Sequence, residues 1–286
     1  MDLKLYEARL SERDHVRLAR FVEQVAGIQL PPHKRSLIES RLRKRLRLTG
    51  KLDFKEYLDW TLSANTAEQV MLIDALTTNK TDFFREADHF RFLTQYLTQQ
   101  LSKEHYRPEY RFWSAGCSTG EEPYTLAMVL EHLKETFPHF NYAIEATDIS
   151  QSVLNTARRG VYAHQLVEPV PLGYRKRYLL RKKSAEVDLV KIIPKLRRNI
   201  RFRDFNLVIG DFKRMGHFDG IFCRNVMIYF SQVQRKLILS NFSNALNHQG
   251  LFFIGHSEGL SGERFGFNPM VPTVYQKLVG ESVHHD

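Results

Sequence analysis

Apolar residues recur at helical spacing along the chain up to residue 109, and strand-like runs are confined to the part beyond it. Ser11 with Asp14 three residues on has the form of a capping box. Val16, Phe21, Val22 and Val25 follow as an apolar stripe, which predicts a first helix. Pro31-Pro32 sits where a second helix can begin, a position that tolerates proline. In that helix Ile38, Leu42 and Leu46 recur at i, i+4 and i+8, and Gly50 stops it. Shorter helices are predicted around Asp53–Leu62 and Thr66–Leu76, and a domain boundary near Thr77–Lys80.

The second part changes period. A helix over Asp88–Glu104 carries Leu93, Leu97 and Leu101 at i, i+4 and i+8. Tyr110–Gly116, Tyr142–Thr147, Phe218–Cys223 and Leu251–Gly255 read as strands, with Thr273–Leu278 as a last one. Helices over Glu121–Phe137, Ser150–Arg159 and Gln232–Leu246 alternate with them. Strands and helices in that order predict βαβ units and a parallel sheet. Gly160–Arg203 interrupts the alternation, is basic and partly strand-like as in Leu189–Ile193, and reads as an inserted subdomain.

Composition narrows the partners. The chain has 286 residues and a net charge of +10, which raises the prior for an anionic partner. The charge is uneven. His33–Lys51 carries +7 and Leu172–Arg203 carries +10, so the remaining chain is mildly acidic. In the first patch the pairs Arg41/Arg45 and Arg43/Arg47 form basic ridges on either side of the apolar stripe. No apolar run approaches the roughly 20 residues of a membrane span, and Met1–Leu10 is charged rather than signal-like. Cys117 and Cys223 show no zinc or disulfide spacing. Two free buried thiols and a cytoplasmic location are expected.

Four segments put polar residues at predicted strand ends, where ligands bind in open parallel sheets. Ser114-Ala-Gly-Cys-Ser-Thr-Gly-Glu-Glu-Pro123 is a small-residue turn leading into a helix. It is not a phosphate-binding fingerprint, and Glu121 and Glu122 at a helix N-terminus would repel phosphate. Acids there suit hydroxyl or ammonium donors, or simply complement the helix dipole. Asp148 ends the next strand, as an acceptor for a ribose diol or as a helix N-cap. Asp204-Phe-Asn-Leu207 is a polar loop or a turn. Phe222–Phe230 embeds Arg224, Asn225 and Tyr229 in an apolar run, where burial without partners is costly. Together these read as a nucleoside-binding α/β domain, of the kind that uses S-adenosylmethionine.

Leu76-Thr-Thr-Asn-Lys-Thr-Asp-Phe-Phe-Arg-Glu86, Trp113–Tyr124, Ala146-Thr-Asp-Ile149 and Phe222–Phe230 together resemble the CheR family, the chemotaxis receptor glutamate O-methyltransferases. The resemblance spans nearly the whole chain. It implies a helical N-terminal receptor-docking domain over residues 1–78 and a Rossmann-like S-adenosylmethionine-dependent methyltransferase domain over 79–286, with a small antiparallel β subdomain inserted at about 172–203. It implies cofactor contacts from Asn79, Thr81, Arg85, Glu122, Asp148, Asn206, Leu207, Asn225 and Val226, with no metal. Arg85 and Tyr229 are the expected catalytic residues, orienting charge near the transferred methyl group. Arg85 could grip a carboxylate, or form a surface salt bridge to Glu86 or Asp88, and Tyr229 could be core. Arg41, Arg43, Arg45 and Arg47 are the expected dock for acidic receptor helices, against the alternative of a solvated helix face. S-adenosylhomocysteine is the implied product, and the chain is expected to act as a monomer without nucleic acid or membrane insertion. Some family members dock a receptor C-terminal pentapeptide on the inserted subdomain. Here the hairpin Arg181-Lys-Lys-Ser-Ala-Glu-Val-Asp188 lacks the glycines associated with that use.

Two alternatives share this fold. A nucleic-acid methyltransferase is suggested by the charge, but Asn225 is followed by Val226-Met227 without the prolines usual in base-modifying enzymes. A non-catalytic cofactor-binding scaffold is the other, although every mapped binding position is filled by a suitable residue.

Overall fold

The computed structural model describes residues 7–63, 66–103, 109–183, 188–260 and 265–278. Residues 1–6 of the charged N-terminal stretch, Glu104 of the predicted helix and 184–187 of the segment read as a hairpin lie outside the described residues. Contacts divide the chain into two units. One holds Met1–Thr78 with the short segments Ile149–Gln151 and Tyr229–Arg235, and the other holds the rest.

The first unit is helical. Its helices are α1 (Glu12–Ala26), α2 (Arg35–Thr49), α3 (Phe54–Leu62) and α4 (Thr66–Leu76). Ser11 caps α1 by accepting the Asp14 N–H at 3.1 Å, and Asp53 caps α3 by accepting from Glu56 at 2.8 Å. Gly27 and Gly50 close α1 and α2 in the left-handed conformation that glycine adopts without strain. The buried stripe of α1 is Leu18, Val22 and Ala26, one helix face away from the predicted Val16, which is 42% exposed. In α2 Ile38, Leu42 and Leu46 are buried as the spacing requires.

Much of the basic charge of α2 is tied down within this unit. Arg45 forms a two-pronged pair with Glu68 on α4, at 2.9 and 2.5 Å, and the Tyr57 hydroxyl donates to the same carboxylate at 2.7 Å. Burial together with Glu68 holds the Tyr57 phenol well above its ordinary pKa. Arg41 donates to the carbonyls of Leu76 and Thr77 and to Thr78 Oγ1, so it caps the end of α4. Arg43 pairs with Glu39 one turn back.

The second unit is an α/β sheet. Helix α5 (Asp88–Leu101) precedes β1 (Glu109–Ala115), α6 (Glu121–Thr136), β2 (Asn141–Asp148) and α7 (Gln151–Arg159). After β3 (Val161–Ala163) come α8 (Leu172–Tyr178), β4 (Leu179–Lys183), β5 (Asp188–Ile192), the single turn α9 (Pro194–Arg197) and β6 (Ile200–Asp204). The chain continues through β7 (Phe218–Cys223), α10 (Gln232–Ala245), β8 (Leu246–Ile254), β9 (Phe267–Val271) and β10 (Val274–Lys277). The main sheet runs β6-β2-β1-β7-β8-β10-β9. Its first five strands are parallel, and β10 and β9 close it as an antiparallel hairpin. Because β1 pairs with both β2 and β7, the strand order reverses there, and the carboxyl ends of these strands are where ligands bind in open sheets of this kind.

The insertion begins within the Gly160–Arg203 break in the alternation, ahead of the residue 172 implied by the resemblance, and ends before residue 203. Its three-stranded antiparallel sheet, β3-β5-β4, begins at Val161. Ile200–Asp204 belongs to the main sheet as its edge strand. Ile200 and Phe202 alternate with Arg201 and Arg203 as strand residues do, but the strand is only five residues long and continues the basic run of the insertion; Arg203 pairs across to Glu145 of β2 at 3.0 Å, the kind of charged side chain that blunts a sheet edge.

Candidate functional site

The small residues after β1 let the backbone fold back on itself. Gly116, at φ 84°, and Cys117 both donate to the Thr147 carbonyl of β2 at 2.8 Å. A Cβ on Gly116 would lie 2.5 Å from a Val226 methyl, so only glycine allows the β1 and β7 loops to approach this closely. Ser118 turns through φ 49°, donates its N–H to Asp148 at 2.8 Å and its hydroxyl to the Asn79 carbonyl at 2.8 Å. Asp148 is thus buried at the end of β2, bracing the β1 loop.

The two carboxylates that open α6 take different partners. Glu121 accepts from Thr119 at 2.6 Å, and burial pushes its carboxyl above the usual range. Glu122 accepts from Ser114 Oγ at 2.6 Å and from Arg224 Nε at 2.7 Å. Arg224 leaves the end of β7 with a side chain only 3% exposed. Its Nη1 also reaches the Arg85 carbonyl at 2.7 Å, His89 Nδ1 at 3.1 Å and Glu86 at 3.4 Å.

Arg85 itself is half-buried, and its guanidinium donates to the Lys80 carbonyl at 3.2 Å. Glu86 and Asp88 pair instead with Arg224 and Arg91, so the surface salt-bridge alternative for Arg85 does not hold. Asn225, at φ 59°, donates its N–H to Glu258 at 2.7 Å, and Met227 and Gly255 donate to the same carboxylate. Burial raises the Glu258 carboxyl while those N–H groups pull it back. Asn206 Oδ1 accepts from Val208 N–H at 2.9 Å, forming a side-chain-stabilised turn that buries Leu207.

The second unit therefore gathers Asn79, Arg85, Glu122, Asp148, Asn225 and Val226 at the carboxyl ends of β1, β2 and β7: Ser118 joins Asn79 to Asp148, Arg224 and Glu86 join Glu122, Arg85 and Asn225, and Val226 packs on Gly116. Thr81 lies in the same segment as Asn79 and Arg85, half-buried, and Asn206 and Leu207 follow β6. Tyr229 groups with the helical unit, where its carbonyl accepts the Gln29 N–H at 2.9 Å. Sequence reasoning missed His89 and Glu258 as parts of the network. Glu258 had a usable signal, a polar turn directly after the apolar strand β8; His89, on a helix face among Phe90 and Leu93, had none.

Residues 79–275 match the CheR methyltransferase SAM-binding domain, and residues 13–77 the CheR methyltransferase all-alpha domain. The chain belongs to the CheR methyltransferase family. A chemotaxis protein methyltransferase of Escherichia coli K12 is 39% identical, over 93% of this chain and 91% of that protein. One from Borreliella burgdorferi is 38% identical over 91% of this chain and 93% of that protein, and chemotaxis protein methyltransferase 2 of Pseudomonas aeruginosa 38% over 88% of each. This CheR-family chain is accordingly an S-adenosylmethionine-dependent methyltransferase, and none of its described helices is long and apolar enough to cross a membrane.

The His89 imidazole carries a pH prediction. Burial, reinforced by the neighbouring Arg224 and His256 and opposed by Glu86, lowers it to about 4. The unfolded chain takes up that proton near pH 6.5, so between about pH 6.5 and 4 it binds more protons than the folded one. Stability is complete above that window and falls as pH drops through it, by on the order of 2 kcal/mol. Urea midpoints measured at pH 7.5, 5.5 and 4.5 should show this loss, and His89→Asn should show distinctly less of it. Parallel curves for the two proteins would remove His89 as the cause.

Proposed function

We propose that this chain methylates glutamate side-chain carboxylates on chemoreceptors, giving glutamate methyl esters and S-adenosylhomocysteine. The observation that carries the reading is the likeness, over nearly the full length, to chemotaxis protein methyltransferases. The donor set at the strand ends fits the cofactor. A buried acid ends β2, a small-residue turn follows β1, and carboxylates rather than phosphate-binding cations begin α6. Asp148 is suited to a ribose diol, and Asn79, Thr81, Glu122, Asn206, Leu207, Asn225 and Val226 are the further proposed contacts, without a metal.

When bound, S-adenosylmethionine supplies an activated methyl group on a sulfonium. The acceptor carboxylate is ionised at neutral pH, so the chain needs no general base. Its work is alignment and exclusion of water. Arg85 is the proposed grip on a carboxylate and Tyr229 a proposed hydrogen-bond donor. The test is transfer of tritiated methyl from S-adenosylmethionine to receptor-bearing membranes, with DNA and RNA as competing acceptors. Alkali-labile label on the receptor, released as methanol, supports the reading; label on nucleic acid, or cofactor binding without transfer, overturns it.

For receptor docking, the exposed face of α2 is the proposed surface. Arg41, Arg43 and Arg45 are partly buried in internal pairs, so reversing Arg45 would disturb folding before docking. Lys34, Arg35, Lys44 and Arg47 are exposed, beside Leu37 and Leu48. A Lys44→Glu/Arg47→Glu protein should show a receptor KM raised about tenfold, a flatter salt dependence and an unchanged kcat. An unchanged KM would return this face to solvent.

A further inference from the structure

Glu86, His89 and His256 bring three potential ligand atoms within 4.8 Å of one another. Such a trio suggests a cation site, and here the chain supplies its own cation. Arg224 Nη1 stands 3.1 Å from His89 Nδ1 and 3.4 Å from the Glu86 carboxylate. A metal ion drawing on those atoms would face the guanidinium directly.

Hydrogen positions follow from the partners. Arg224 Nη1 can only donate, so His89 Nδ1 accepts from it; Thr273 Oγ1, 2.7 Å from Nε2, can accept the ring proton while donating to the Pro272 carbonyl at 2.7 Å. Nε2 therefore carries the ring proton, and Nδ1 offers its lone pair to Arg224. The groups that face this imidazole are Arg224, Glu86 and His256, and a proton on Nδ1 would oppose the guanidinium. The same Arg224 Nη1 holds the Arg85 carbonyl at 2.7 Å. Arg85 lies between Phe84 at φ 55° and Glu86 at φ 54°, two left-handed residues without glycine's freedom. That loop is held by its tethers rather than by local preference.

We propose that His89 is a positioning residue for methyl transfer: neutral and protonated on Nε2, it fixes the Arg224 guanidinium, which fixes the loop that presents Arg85. The proposal rests on the reading of Arg85 as a residue that contacts cofactor or the acceptor carboxylate. His89 is 2% exposed and acts through Arg224. Its ring nitrogens face Arg224 and Thr273, and its ring packs edge-on against Phe253 at 5.7 Å.

A double-mutant cycle tests it on the full chain, with kcat for receptor methylation and S-adenosylhomocysteine affinity by calorimetry as readouts. His89→Phe keeps the ring and removes both nitrogens, and kcat should fall about tenfold or more. His89→Asn keeps an acceptor near the Nδ1 position and should recover most of that loss. In an Arg85→Ala background, His89→Phe should change kcat less than about twofold, because the residue it positions is gone. Equal losses in both backgrounds, or a His89→Asn protein no better than His89→Phe, would overturn the positioning role while leaving Arg85 in place. An Arg85→Ala protein as active as the parent would overturn both. If His89→Phe does not fold, Thr273→Ala, which frees Nε2 and loosens the tautomer, takes its place in the same cycle. A loss confined to the Arg85 background then supports the role, and equal losses in both backgrounds overturn it.

Discussion

Arg224→Met should cost about 3–5 kcal/mol of stability and abolish cofactor binding. The side chain is 3% exposed and serves acceptors from three segments: Glu122 on α6, the Arg85 carbonyl and Glu86 on the preceding loop, and His89 on α5. Its guanidinium also lies over the Phe90 ring at 5.2 Å. Methionine fills much of the volume, so the loss is chiefly that of two carboxylates, Glu122 and Glu86, left without their cation in a buried setting. Arg224→Lys keeps the charge but cannot reach Glu122 and the Arg85 carbonyl in the same fork, so it should fall between the two. Adding Glu122→Gln to Arg224→Met should return a good part of the stability, since it removes one unpaired charge. Urea unfolding of the four proteins checks this. A single Arg224→Met loss below about 1 kcal/mol would mean that the network is not a structural centre.

This network explains what the sequence could and could not reveal. The sheet was legible because β1, β2, β7 and β8 each carry a buried, mostly apolar stretch, as in Phe112–Ala115 and Leu251–Ile254. The edge strand β6 was not, since it is five residues long and merges with the basic insertion before it, and β9, at the other edge, exposes four of its five residues. On the helical side, the spacing of Ile38, Leu42 and Leu46 was enough to orient α2. It could not tell which arginines beside that stripe would find acceptors. Arg41 and Arg45 have partners 35 and 23 residues away, and nothing local in the chain announces a long-range ion pair. In the site, Asp148, Glu122 and Asn225 were visible as polar residues at predicted strand ends. His89 was invisible because a histidine on an apolar helix face is ordinarily a satisfied core residue; what distinguishes it is the arginine brought to it from residue 224.

Asp148→Ala should weaken S-adenosylhomocysteine binding by about a hundredfold or more, equivalent to roughly 3 kcal/mol. Two losses combine. The proposed contact to a ribose diol is charge-assisted, and such hydrogen bonds contribute about 1.5–3 kcal/mol each. The Ser118 N–H, which Asp148 accepts at 2.8 Å, is also left without its acceptor in a buried loop. The second loss moves the β1 turn itself, because Ser118 is held in a left-handed conformation at φ 49° and its hydroxyl is what reaches the Asn79 carbonyl. Asp148→Asn separates them. Its amide oxygen can still accept from Ser118, so the unfolding midpoint should stay near that of the parent protein. Its missing charge and extra donors should still lower affinity by about tenfold. Calorimetry of both variants alongside thermal unfolding checks the pair. If Asp148→Asn binds as the parent does, the acid at the end of β2 is only a brace for the turn, and cofactor recognition lies with the neighbouring loops.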